Sequence, residues 1–100
     1  MNLGDKVRDQ AEAAKSYLAA EGFSIVGDSA LADAFEAHVH TIVVELDGAR
    51  KSLKLSYQWL EDRTAESVTT FLADRDIGRS LKEPDTVMCS VGASGLLSWQ

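Results

Sequence analysis

Glu36, His38 and His40 stand at alternate positions and form the densest run of metal-ligand types in this sequence. On an extended strand, positions i, i+2 and i+4 share one face. Same-face neighbours lie roughly 6.5–7 Å apart, a gap that two imidazoles can span to one ion. A His-x-His pair with a nearby carboxylate is a donor set for zinc or another divalent metal. A closed site would still need a further ligand, from Cys89 or a distant acid. The competing reading leaves the three residues on the wet face of a hairpin. That reading is preferred here, with no metal and no cofactor expected.

Other candidate chemistry is thinner. Cys89 lies in the apolar run Val87-Met88-Cys89-Ser90-Val91 and reads as a small core residue. A Cys–His nucleophile would need a neighbour that lowers the thiol pKa, and none stands beside it in the sequence. Gly92-Ala93-Ser94-Gly95 has neither the Gly-x-Ser-x-Gly spacing of a nucleophile elbow nor the lysine of a phosphate loop, so it reads as a turn. Glu61-Asp62-Arg63 and Asp74-Arg75-Asp76 read as solvated mixed-sign triplets, not as an acid–base pair. The expectation is therefore a protein that is not an enzyme.

Charge is more informative. The 100 residues carry 10 Lys and Arg against 16 Asp and Glu, a formal charge of −6, with 45% hydrophobic residues. That balance suits one globular domain, residues 1–100, and argues against direct binding of nucleic acid. Residues 1–15 are balanced, and so are residues 50–100. The whole excess falls in residues 16–49, where Glu21, Asp28, Asp33, Glu36, Glu45 and Asp47 occur without a single Lys or Arg. Such a stretch makes an acidic surface unless bases from elsewhere fold onto it. No apolar stretch approaches the roughly 20 residues of a membrane span, so no membrane contact is expected. Asp5 near the start and the absence of an apolar leader point to a cytoplasmic protein, as does a single cysteine.

The elements that must position these residues follow from periodicity. Leu3, Val7, Ala11, Ala14 and Leu18 make one helical stripe over about Asp5 to Glu21, with Asp5 as N-cap and Gly22 as left-handed stop. Phe23 to Val26 suggests a short strand ended by Gly27-Asp28-Ser29. A longer strand runs from about Phe35 to Leu46. Asp47-Gly48 is a hairpin signal, and Lys51 to Trp59 alternates as the third strand. A second helix spans about Thr64 to Asp76, capped by Thr64 and burying Val68, Phe71 and Leu72, with Gly78 as its stop. Residues 87–91 and 96–99 suggest two further short strands, the last of them alternatively a docked terminus. The fold class is α+β: αβββα order, a three-stranded antiparallel sheet packed by helices, and these two further C-terminal strands.

Two hairpin registers are open. A two-residue loop pairs Ile42 with Leu53 and Val44 with Lys51, and puts His40 beside Leu55 on the inner face. A three-residue loop with a bulge pairs Val43 with Leu53 and Val39 with Tyr57, sets Glu45 opposite Lys51, and turns both histidines outward. A one-residue slip reverses every side chain, so the two are exclusive. The second is preferred, because it keeps Glu36, His38 and His40 in water. It also sends Ile42, Val44 and Leu46 outward as an apolar patch suited to a partner. Trp59 is read as core rim or as an interface anchor, and Trp99 is another possible anchor.

No family is recognised. The αβββα order is shared with double-stranded-RNA-binding domains, but their function rests on basic residues around the second helix. Here acids match bases there. The longer order with an acidic balance is also found in secretion chaperones, and the size and charge are those of small acidic inhibitors carried by phages and mobile elements. Order alone does not imply function. The leading expectation is a protein-binding module, an accessory or inhibitory protein that docks its acidic residues onto a basic, nucleic-acid-handling partner. The alternatives are an assembly or chaperone-like subunit that self-associates through its sheet, as a homodimer for instance, and a small metal-dependent enzyme using Glu36, His38 and His40.

Overall fold

A computed structural model describes residues 7–29 and 39–100, apart from the side chains of Asp28 and Ser29. Helix α1 (Arg8–Ala20) buries Ala11, Ala14 and Leu18, the stripe read from the sequence. Its end is a Schellman motif: the Phe23 amide donates to the Leu18 carbonyl at 3.1 Å and the Gly22 amide to Ala19 at 3.0 Å. Gly22 takes φ +102°, which a side chain would resist. Phe23 then folds into the core. The expected N-cap, Asp5, lies outside the described residues.

Three strands follow as an antiparallel meander: β1 (Ser24–Ser29), β2 (Val39–Leu46) and β3 (Ala49–Ser56). A register shift between Ile25 and Gly27 marks a bulge in β1, so this strand runs through the glycine that was expected to end it. The first part of the expected second strand, residues 35–38, lies outside the described residues.

The β2–β3 register corrects the preferred expectation. Ile42 pairs with Leu53, Val44 with Lys51 and His40 with Leu55. The loop has two residues, Asp47 at φ 52° and Gly48 at φ +83°, a type I′ turn whose twist matches that of its strands. A bulged loop gives up that match. It would also expose Ile42 and Val44, which are fully buried here, and each such burial contributes about 1.5–3 kcal/mol.

The third strand stops at Ser56, not at Trp59. Tyr57–Glu61 forms a short helix, α2, that buries Tyr57, Trp59 and Leu60 together. Leu60 breaks the alternation, and only a helical turn sinks 57 and 60 on one side. Helix α3 (Ala65–Asp74) begins as expected, with Thr64 and Ser67 forming a reciprocal capping box. It packs against α1. Gln10 ties the region down, its Nε2 donating to the Arg63 carbonyl at 2.9 Å and the Leu60 carbonyl at 3.3 Å.

Gly78 is not the stop of α3. Asp76, in the left-handed region at φ 52°, opens a short helix α4 (Ile77–Leu81) that contains Gly78. Gly78 meets α1 instead: a Cβ there would come 2.7 Å from Glu21 Cγ and 3.0 Å from the Tyr17 hydroxyl. Its amide donates to that hydroxyl at 2.9 Å.

Strand β4 (Met88–Val91) pairs parallel to β3, and β5 (Leu97–Trp99) antiparallel to β4. The sheet is five-stranded and mixed, in the order β1-β2-β3-β4-β5, where a purely antiparallel one was expected. Residues 57–87 supply the long helical crossover that a parallel return requires. Among the described residues, helices α1 to α4 contribute to one core against a single face of the sheet, with Ile42, Val44, Leu53, Leu55, Cys89 and Val91 beneath them.

Candidate functional site

Of the metal-ligand set Glu36, His38 and His40, only His40 lies among the described residues. With the observed register, β2 turns His40 inward, and it is buried. Its Nδ1 lies 3.2 Å from the Tyr57 hydroxyl in a hydrogen bond, and the two rings meet edge to face at 5.8 Å. Glu36 and His38 lie outside the described residues. Among the described residues, no group of three His, Cys, Asp or Glu side chains comes together as a ligand set. Cys89 is buried, and burial pushes its thiol up to about 11. It is held as the unreactive thiol, which fits a packing role.

The inward stripe of β3 brings a second polar group into the interior. Lys51 is only 5% exposed. Its Nζ donates to the carbonyls of Glu83 and Thr86, each at 2.7 Å. Those bonds pin the segment between α4 and β4 onto the sheet and satisfy a cation that would be costly to bury unpaired.

The six acidic residues separate. Ser24 pairs with Glu45 and Ser29 with Thr41, so Glu45 and Asp47 lie at the end where β1 begins, and Glu21 precedes that strand by three residues, its side chain near Gly78 and Lys82. Asp28 belongs to the other end: it pairs with Ile42, three residues along β2 from Glu45 and roughly 10 Å away by strand rise. Asp33 and Glu36 lie outside the described residues. Among the described side chains, bases from later in the chain approach Glu45 and Glu21. Arg50 Nε lies 3.3 Å from Glu45 and Lys82 Nζ 3.8 Å from Glu21. Both pairs are partly solvent-exposed and worth little individually. Asp47 is exposed at the hairpin tip. Burial raises the Tyr17 phenol above its ordinary pKa; the bond from Gly78 opposes this, and Glu21 and Asp76 add to it.

The expected apolar interface is largely inside. Ile42 and Val44 are fully buried, and Leu46 packs against the core. The register explains this, since it reverses the face that each residue takes. Trp59 is 2% exposed and edge to face with Phe71 at 4.8 Å, which makes it a core residue and not an anchor. The Arg63 guanidinium lies 4.7 Å over its ring and that of Arg75 4.9 Å over Phe71. An open cleft of about 420 Å³ runs along α3 beside Arg63, Glu66, Phe71 and Asp74. Its charges are mixed in sign, and two of its hydroxyls, Thr64 and Ser67, are committed to the capping box.

Exposed apolar residues lie elsewhere, Ile25 and Val26 on β1 and three more near the C-terminal strands. Val87 is 54% exposed, Leu96 73% and Trp99 40%, all at or beside the β4–β5 hairpin. A count of charge by segment finds this region too, because residues 86–100 contain no Asp, Glu, Lys, Arg or His. No helix among the described residues is long and apolar enough to cross a membrane. The chain matches no protein-family model, no curated protein and no solved structure.

Proposed function

We propose that this protein is a non-catalytic binding module, an accessory or inhibitory protein whose acidic residues engage a basic partner, one that handles nucleic acid being the most concrete case. The observation that carries this reading is the confinement of the whole −6 to residues 16–49, which contain no Lys or Arg. The contact proposed is the end of the sheet that carries Glu45 and Asp47, with Glu21 three residues before β1. There Asp47 stands exposed on a type I′ turn, and the pairs at Glu45 and Glu21 are weak enough to exchange Arg50 and Lys82 for a partner's bases.

The test is affinity capture on the immobilised chain, identification of the bound protein by mass spectrometry, and titration of that complex with salt. Affinity is expected to fall at least about tenfold between low and high salt, as charge pairing is screened. Asp47→Asn with Glu45→Gln is expected to weaken it by a similar factor, since asparagine keeps the left-handed turn while removing the charge. Recovery of no salt-eluted protein, or an affinity indifferent to both changes, overturns the reading.

A further inference from the structure

The two edges of the sheet are guarded differently. Strand β1 carries a bulge at its middle, Gly27 and the charged Asp28, devices that discourage pairing with another strand. Strand β5 has none of these. It lies inside a fifteen-residue stretch, 86–100, without a charge or a proline.

Its backbone is set for pairing. The bonds that join β5 to β4 run through Leu96, whose carbonyl accepts from Gly92 at 2.9 Å, and through Gln100, which exchanges two bonds with Met88 at 2.9 and 3.0 Å. Antiparallel alternation places Ser98 with them, opposite Ser90. The amides and carbonyls of Leu97 and Trp99 therefore point away from β4, toward the outer edge. Trp99 and Leu96 are both exposed there.

We infer that β5 is a homodimerisation edge, at which a second copy of this chain adds its own β5 antiparallel, centred on Ser98. The match is self-complementary. Leu97 faces the copy's Trp99, and Trp99 the copy's Leu97, so the four outward backbone groups of each strand all find partners. Leu97 and Trp99 sit on one side of the strand, so each tryptophan covers the other copy's leucine. An uncharged strip in a chain of charge −6 is satisfied by an equally uncharged strip, which the second copy supplies. The result is a continuous ten-stranded sheet. This inference stands on the β5 edge and is independent of the basic-partner reading.

Salt separates the two. Each copy carries −6, so dimerisation is opposed by long-range repulsion and strengthens as salt rises. Capture of a basic partner weakens under the same change. Sedimentation of the chain is expected to show a monomer–dimer equilibrium whose dissociation constant falls about threefold or more from about 50 mM to about 500 mM salt. Trp99→Lys places like charges at the edge and is expected to raise that constant at least about tenfold.

Ser98→Cys gives a second reading that does not depend on how well Trp99→Lys packs. In the proposed pairing Ser98 faces its own copy as a non-hydrogen-bonded pair with Cα atoms about 4.5 Å apart, within disulfide range. Mild oxidation is expected to give a disulfide dimer on a non-reducing gel, and Ser94→Cys, at the exposed hairpin turn, is expected not to. A chain that stays monomeric at about millimolar concentration in high salt overturns the inference, against the weak end of specific association. So does a dimer that Trp99→Lys leaves intact and in which Ser98→Cys crosslinks no better than Ser94→Cys.

Discussion

The β2–β3 and β4–β5 hairpins share a sheet but are held to it by different means. The first has eight-residue strands closed by a two-residue turn, and its inner face carries His40 and Lys51 among the apolar residues. The second has strands of four and three residues, no charge, and apolar side chains left in water. Its inward residues are Cys89, Val91 and Leu97. The first hairpin is specified from within by buried polar groups whose partners exist in only one register. The second is placed by the strand beside it and keeps an edge to spare.

The sharpest way to break that contrast is at Lys51. Lys51→Met keeps the length of the stem but removes the ammonium that bonds the carbonyls of Glu83 and Thr86. Loss of about 2–4 kcal/mol of unfolding free energy is expected in urea denaturation, from two lost charge-assisted bonds and the orphaned Thr86 carbonyl, the Glu83 carbonyl keeping the Thr86 amide at 3.0 Å. A change below about 1 kcal/mol would mean that the crossover segment is held by packing alone, and the two hairpins would then be alike.

The β4–β5 hairpin offers the matching probe by pH. The Cys89 thiol is raised from 9.0 to about 11. An acid whose folded pKa lies above its unfolded one is neutral in both states at lower pH. Between pH 9 and 11 the unfolded chain ionises first, so stability falls as pH rises through that window. Two pKa units correspond to a loss of about 3 kcal/mol. The raised Tyr17 phenol acts in the same direction at higher pH, above its ordinary value of 10.0. In Cys89→Ala the decline over pH 9–11 is expected to flatten, leaving the Tyr17 part, as followed by chemical denaturation at each pH.

The sequence carried local structure well and long-range structure poorly, and the reasons are physical. The Gly22 stop and the Thr64 cap were legible because each depends on backbone groups within five residues. The β2–β3 register is the two-residue-loop alternative and not the preferred one. Keeping two histidines in water outweighed the intrinsic preference of Asp-Gly for a type I′ turn, and the buried bond from His40 to Tyr57 that makes its burial tolerable was invisible. The parallel β3–β4 pair was missed because nothing in residues 51–59 or 87–91 records which neighbour lies alongside. Gly78 reads as a helix stop in the sequence because glycine has two uses, a left-handed turn and close approach. Only the distance to Glu21 decides between them. The acidic segment was visible as a count, but its division between two ends of a strand pair required the register.

A smaller effect sharpens the turn's part in the contrast. Gly48 sits at φ +83° with open space around it, so Gly48→Ala tests backbone strain without a clash. A loss of about 1 kcal/mol is expected in thermal unfolding. Asp47→Asn, by comparison, is expected to stay within about 0.5 kcal/mol of the parent, since asparagine tolerates the left-handed region.

The smallest effect bears most directly on function. Arg50 and Glu45 form an ion pair across the hairpin, with side chains 68% and 39% exposed. Exposed pairs contribute between nothing and about 1 kcal/mol, because solvent screens them and ordering two long side chains costs entropy. A double-mutant cycle of Glu45→Gln and Arg50→Gln is expected to give a coupling below about 0.5 kcal/mol. A coupling above about 1 kcal/mol would make Glu45 a structural residue, retained to fix the hairpin. A coupling near zero leaves the carboxylate available to a basic partner, and it distinguishes the charge at this end of the sheet from the buried Lys51, which the fold cannot release.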